Sequence, residues 1–201
     1  MVSVMRIRAV GTSALMIEVE DPLAWFAALD AARTDGRIDV TDIVPGARTV
    51  LLDGVPSVAA LTAALRDWPP PAAASVTGDR LDIPVIFDGP DLAQVAAHVG
   101  RSPEGVVADL TGTAFRVAFG GFAPGFAYLT GLPWSIPRLE SPRPRVPAGS
   151  VALAAEYAGI YPTASPGGWQ LVGRTDAVLF DIDRTPPALL TPGRTVRFVI
   201  A

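Results

Sequence analysis

Three arginines within eight residues, Arg138, Arg143 and Arg145, and a fourth at Arg174 are the side chains of this sequence best suited to hold a small anion. Guanidinium presents a planar fork of donors that matches carboxylate and phosphate alike. Pro137, Pro142, Pro144 and Pro147 lie in the same segment. They stiffen it and lower the entropic cost of holding charged groups in place. Glycine-rich turns flank it, GGFAPG before and SPGGW after, and backbone amides in such turns form anion-binding concavities. Ser150, Gly167 and Gly168 therefore join the candidate anion-binding set, and Phe122, Pro124, Phe126, Tyr128, Tyr161 and Trp169 are the candidate pocket walls.

Other chemistries are poorly supported. The 16 basic residues are all arginine, so the chain lacks the lysine that a P-loop, a Schiff-base enzyme or a biotin or lipoyl carrier requires. Neither GGFAPG nor SPGGW has dinucleotide or P-loop spacing. His98, the single histidine, lies off the apolar stripe of its predicted helix and is expected to be exposed. Neither Ser150 in AGSVA nor Ser165 in ASPGG matches the G-x-S-x-G elbow, which leaves a serine triad without a nucleophile. With no cysteine and no carboxylate cluster at ligand spacing, no metal site is expected. No catalytic residue is identified.

Composition sets the remaining bounds. A chain of 201 residues that is 50% hydrophobic can bury a sizeable core in one large or two small domains. A net charge of −4 argues against general affinity for nucleic acid or anionic membrane. The absence of cysteine fits a reducing cytoplasm. Arg6, Arg8 and Glu18 interrupt the apolar runs of the N-terminus, so neither a signal segment nor a membrane span is expected.

The elements that must position these residues follow from periodicity. Strands are predicted at 4–10 and 13–19, a helix from the Asp21–Pro22 cap to Gly36, strands at 38–44 and 48–53, and a helix begun by Ser57, a ββαββα order. The run PPPAAASVTGD, Pro69 to Asp79, carries no apolar period and is the predicted linker. Six arginines face ten acids up to residue 79, and ten face ten beyond it, so the acidic surplus lies in the first domain. A strand at 81–87 is followed by a helix capped by Asp91 and ended by Gly100, then by a helix from Ser102–Pro103 to about Leu110. Strands at 113–119, 150–155, 169–173, 177–181 and 195–200 between Gly/Pro turns suggest a small, closed or nearly closed β-barrel. The expected fold is α+β: an N-terminal α/β sandwich domain over 1–79 and a β-barrel domain over 80–201.

The motifs GFAPGFAYLTGLP, PRPRVPAGSVALA, GIYPTASPGGWQLVGRT and PALLTPGRTVRFV closely resemble the B subunit of bacterial 5-oxoprolinase. That family is also described as allophanate hydrolase subunit 1, as KipI-type sporulation kinase inhibitors and as the carboxyltransferase domain, subdomain C and D. The resemblance is specific from Gly121 to Thr175, and the first eighty residues match only in layout. It implies that the barrel is cyclophilin-like. It also implies that the chain acts with the A component and the cyclophilin-like C component of that enzyme in the ATP-dependent opening of 5-oxo-L-proline, a lactam, to L-glutamate, with ATP and Mg at the level of the complex and none assigned to this chain alone. Phosphorylating a lactam oxygen would create a leaving group, a step that needs anion clamps and exclusion of water. The resemblance leaves two other roles open, inhibition of a sensor histidine kinase and carboxyl transfer or amide metabolism of the allophanate hydrolase type. There are departures from the family pattern. Leu110, Thr111 and Gly112 stand where many relatives read HTSG, Ala127 replaces a common proline and Ala155 a common glycine.

Overall fold

The computed structural model describes residues 5–72 and 80–201. The chain divides into two compact units, residues 1–75 and 76–201. Of the predicted linker, residues 73–79 lie outside the described part, as do residues 1–4 at the start of the first predicted strand.

In the first unit, β1 (Arg6–Val10) and β2 (Ala14–Glu18) form an antiparallel hairpin. Leu15 and Ile17 point inward at the two-residue period of a strand with one buried face. The Asp21 carboxylate accepts from the Ala24 amide at 3.0 Å and starts α1 (Pro22–Thr34), whose buried stripe is Ala24, Trp25, Leu29 and Ala32. Strands β3 (Asp42–Pro45) and β4 (Thr49–Asp53) complete a four-stranded sheet in the order β1-β2-β4-β3. Ser57 accepts from the Ala60 amide at 3.3 Å and starts α2 (Val58–Arg66). The ββαββα order is present, with one strand shorter than expected. Before β3, the Arg37 and Ile38 amides are engaged with Ala32 O, closing the end of α1, and the Thr41 amide is the first to reach β4, donating to Asp53 O at 2.8 Å.

The second unit contains β5 (Arg80–Val85), α3 (Leu92–Val99), α4 (Pro103–Gly112), β6 (Phe115–Gly120), β7 (Ala127–Thr130), β8 (Arg143–Val146), β9 (Ser150–Ala154), β10 (Tyr157–Ile160), β11 (Ser165–Gly167), β12 (Gln170–Arg174) and β13 (Thr195–Ile200). Seven of the strands form one sheet in the order β12-β9-β10-β7-β6-β13-β5, antiparallel except for the parallel pair β13–β5. Ile86, just past β5, exchanges two 2.9 Å backbone hydrogen bonds with Arg174 at the far edge, which brings the sheet round into a nearly closed barrel. Gly89 extends this seam. A Cβ on it would lie 2.3 Å from the Val172 carbonyl carbon, so only glycine permits the approach.

Strand β9 shows how the site is supported. Val151 and Leu153 join a core with Val95 and Ala96 of α3 and Val106 and Leu110 of α4. Ala152 and Ala154 face the other way into a separate cluster with Phe126, Val146, Tyr161, Trp169 and Leu171. Strands β8 and β11 pair only with each other and contribute Val146 to this second cluster. Pro144 and Pro166 fit such a two-stranded ribbon, where a missing amide donor costs no central ladder bond.

The predicted strand at 177–181 is not a strand. That segment makes one isolated bridge, Phe180 to Ala188, and the Arg184 guanidinium donates to its carbonyls at Val178 and Leu179. Strands β7, β8, β10 and β11, which are not among the predicted strands, are ordered ladders. Ala155 turns the chain between β9 and β10 at φ 50° and is the non-glycine residue at positive φ among those described. Left-handed backbone costs a residue with a Cβ about 1–2 kcal/mol, partly offset by the greater unfolded-state entropy of glycine. Ala155→Gly is therefore expected to stabilise the second unit by about 1 kcal/mol, read as a higher melting temperature. A lower one would contradict the assigned strain.

Candidate functional site

The proline-arginine segment and the glycine loops meet over the aromatic cluster. Gly167 of β11 pairs with Arg143 of β8. A Cβ on Gly167 would lie 2.2 Å from the Tyr161 hydroxyl, so its role here is close packing against that ring. Gly168 O accepts from the Leu139 amide at 2.8 Å, and Gln170 Nε2 donates to Pro137 O at 3.2 Å. These two bonds fasten the Pro137–Leu139 segment to the start of β12.

Phe126 sits at the centre of the rings, with Phe122 at 4.8 Å and Tyr128, Tyr161 and Trp169 each at 5.5 Å between centroids. The last three pairs are edge-to-face, the arrangement favoured by the ring quadrupoles. Phe126, Tyr161 and Trp169 are buried, whereas Phe122 is 63% exposed. Pro124 is exposed in the turn closed by the Phe126 amide donating to Ala123 O. The six aromatic and proline candidates are thus brought together as a packed floor, with Phe122 and Pro124 as its solvent-facing edge. Burial raises the Tyr161 phenol above its ordinary value, opposed by a hydrogen bond with the Trp169 backbone and by Arg138 and Arg143. The phenol stays neutral and protonated across the physiological range.

The arginines divide by environment. Arg143 Nη2 donates to Asp91 Oδ1 at 2.6 Å, and its Nη1 donates to Trp169 O at 3.4 Å. The other oxygen of Asp91 accepts from the Leu171 amide at 2.6 Å. Asp91 is 5% exposed. Its two oxygens tie the start of α3, strand β12 and the β8–β11 ribbon together. Asp91 occupies the N-cap position, yet its side chain makes no bond to α3. The expected cap is replaced by a tertiary ion pair. Arg138 is exposed, with its guanidinium 6.0 Å from the Trp169 ring centroid. Arg145 is exposed and makes no ion pair with any described residue.

Arg174 lies at the barrel seam, where Nε meets Asp88 at 2.9 Å in an exposed pair. It borders a cavity of about 350 Å³ lined also by Pro84, Ile86, Thr175, Asp176 and Ala177. Ser150, buried, is the register partner of Arg174 across β9–β12, and its carbonyl accepts from the Tyr161 amide at 3.0 Å. Arg138 and Arg145 therefore remain the exposed guanidinium groups of the ribbon region, while Arg143 braces it and Arg174 belongs to the seam.

The tertiary roles of Asp91 and Gln170 have no signal in the sequence. Their partners are 52 and 33 residues away or more in sequence, and no local pattern marks them. Among the described residues no group of three or more His, Cys, Asp and Glu could hold a metal ion, and no helix is long and apolar enough to cross a membrane. His98 is exposed on α3, as expected.

Residues 5–190 match the carboxyltransferase domain, subdomain C and D. The 5-oxoprolinase B subunit of Escherichia coli O157:H7 is 40% identical over 203 residues, covering 94% of this chain and 93% of that one. The 5-oxoprolinase B subunit of Bacillus subtilis (strain 168) is 46% identical over 124 residues, 59% of this chain and 52% of that one. In the crystal structure of TTHA0988, 36% identical, the fold superposes with a TM-score of 0.78 over 99% of this chain. The match spans only 40% of the TTHA0988 chain. The chain belongs to the family of 5-oxoprolinase B subunits, within the carboxyltransferase domain, subdomain C and D.

Proposed function

We propose that this chain is the B subunit of an ATP-dependent 5-oxoprolinase, acting with the A and C components of that enzyme to open 5-oxo-L-proline to L-glutamate. The observation that carries the reading is the 40% identity running through 93% of the Escherichia coli protein of that name. In this reading the barrel of the second unit is cyclophilin-like, and residues 1–79 and 80–201 are separate domains. Cooperative unfolding of an isolated 80–201 fragment is the expected result, and a fragment that melts without a transition contradicts the division.

The described residues do not fit a nucleotide with its magnesium ion. Lysine is absent, Gly167 and Gly168 are packed against Tyr161 and Leu139, and no group of carboxylates among the described residues could hold a metal ion. In this reading ATP and Mg act at the level of the complex. What this chain supplies is cationic and structural. Arg138 and Arg145 of the ribbon region, and Arg174 at the seam, offer guanidinium groups to a carboxylate or phosphate of the assembled site. The ring cluster beneath the ribbon keeps water from its underside. The neutral Tyr161 hydroxyl is already engaged at the Trp169 backbone.

Substrate choice provides the test. The co-expressed complex is expected to release glutamate from 5-oxoproline when ATP is present and to release no ammonia from allophanate. Allophanate hydrolysis without glutamate release would overturn the reading.

A further inference from the structure

We propose that the loop from Asp176 to Asp183 is the docking face for a different, positively charged component of the complex, a proposal that rests on the reading of this chain as one part of a multi-component enzyme. Its sequence, DAVLFDID, sets an apolar run, Ala177–Phe180, and Ile182 between the acids Asp176, Asp181 and Asp183. Val178 is 62% exposed, Ile182 79% and Phe180 37%. Large apolar side chains gathered on one exposed loop mark an interaction site far better than the same residues scattered singly.

The loop is rigid by construction. Leu179 is buried in the barrel core and anchors it from below. Its backbone is tied by Leu189 N to Leu179 O at 2.8 Å and by Asp181 N to Pro187 O at 3.0 Å. The Arg184 guanidinium donates to Val178 O at 3.1 Å, Leu179 O at 3.2 Å and Pro187 O at 2.8 Å. A cation that spends its donors on carbonyls holds the exposed side chains in one presentation, so little ordering entropy remains to be lost when a partner arrives.

Charge identifies the occupant. Asp176, Asp181 and Asp183 are exposed, and none forms an ion pair with a described residue. A second copy placed across a two-fold axis would set these carboxylates against themselves, and an anionic lipid surface would meet the same repulsion. A protein face with an apolar centre rimmed by arginine or lysine satisfies both the stripe and the acids. With the loop's acids unpaired among the described residues, the complementary charge comes from another polypeptide.

The test measures binding of the purified C component and of the purified A component to the full chain and to its variants. Val178→Asp and Ile182→Asp are each expected to weaken binding of one of these components by at least about thirtyfold, the size of a central interface anchor. Both substitutions are at exposed positions, so the thermal melt should not move. The double change Asp181→Asn with Asp183→Asn is expected to slow association and flatten its salt dependence. Val44→Asp, exposed in the first unit, is the control and should bind like wild type. Wild-type affinity in both aspartate variants overturns this docking face while leaving the proposed function intact. A wild-type chain that binds neither component overturns both. A dimer of this chain that the same variants abolish gives the face to self-association and also overturns the proposal.

Discussion

Asp91→Ala is expected to destabilise the second unit by about 3–5 kcal/mol, the loss seen when one partner of a buried ion pair is removed. For a chain of this size that corresponds to a melting temperature lower by roughly 10 °C. The reason lies in the burial of the carboxylate and the engagement of both its oxygens. Asp91 is 5% exposed, Arg143 lies 2.6 Å from one oxygen, and the Leu171 amide lies 2.6 Å from the other. Removing the carboxylate strands a guanidinium against the ring cluster and an amide on β12 at the same time. The double variant Asp91→Leu with Arg143→Met removes both charges and should recover most of the loss, since well-packed apolar groups can replace a buried pair. A loss below about 1 kcal/mol for Asp91→Ala would place the pair in the class of exposed, weak bridges and contradict its bracing role.

Arg145→Gln is expected to lower turnover of the assembled complex about ten- to hundredfold while leaving the melt unchanged. The removed contact is a charge-assisted hydrogen bond of roughly 1.5–3 kcal/mol. An exposed arginine substitution alters stability by no more than about 0.5 kcal/mol. Arg174→Gln carries the same expectation for activity, although the exposed bridge to Asp88 is also lost. Arg143→Gln should differ from both, because its guanidinium is already committed to Asp91 and Trp169 O. It lowers the melt as well as the rate. His98→Gln, on the exposed face of α3, should stay within about threefold of wild type. Wild-type turnover in both Arg145→Gln and Arg174→Gln would remove the arginines from the site. A dead His98→Gln with an unchanged melt would give the histidine a role that its exposure does not suggest.

The helices were legible because their ends are written locally. Asp21, Ser57 and Ser102 each accept from an amide three residues on, as their position before an apolar stripe predicts. The first sheet was legible because Leu15 and Ile17 alternate with partly exposed neighbours. Strand β9 carries no alternation, since it is buried on both faces, and only its apolar run identified it. Strand β8, within PRPRV, was hidden by prolines that a two-stranded ribbon tolerates. Asp91 looked like one more helix cap, because nothing within a few residues of it reveals a partner on β8.

The aromatic residues illustrate the same limit at the site. Their clustering in sequence signalled that they act together, and they do meet. Whether they wall an open pocket or pack on one another depends on the ribbon that covers them, which periodicity did not reveal. The arginines divide for a similar reason. Residue type and spacing group Arg138, Arg143 and Arg145, whereas an ion pair with the buried Asp91 separates the half-buried Arg143 from the other two.

The central claim, that this chain is required for 5-oxoprolinase activity but not sufficient for it, is tested most directly by titrating it into fixed amounts of the A and C components and recording glutamate release from 5-oxoproline with ATP. The expected result is no release from the chain alone or from the other two components alone, and a rise to a plateau at one equivalent when all are combined. Full activity without this chain, or glutamate release by this chain alone at the rate of the complete mixture, would contradict it.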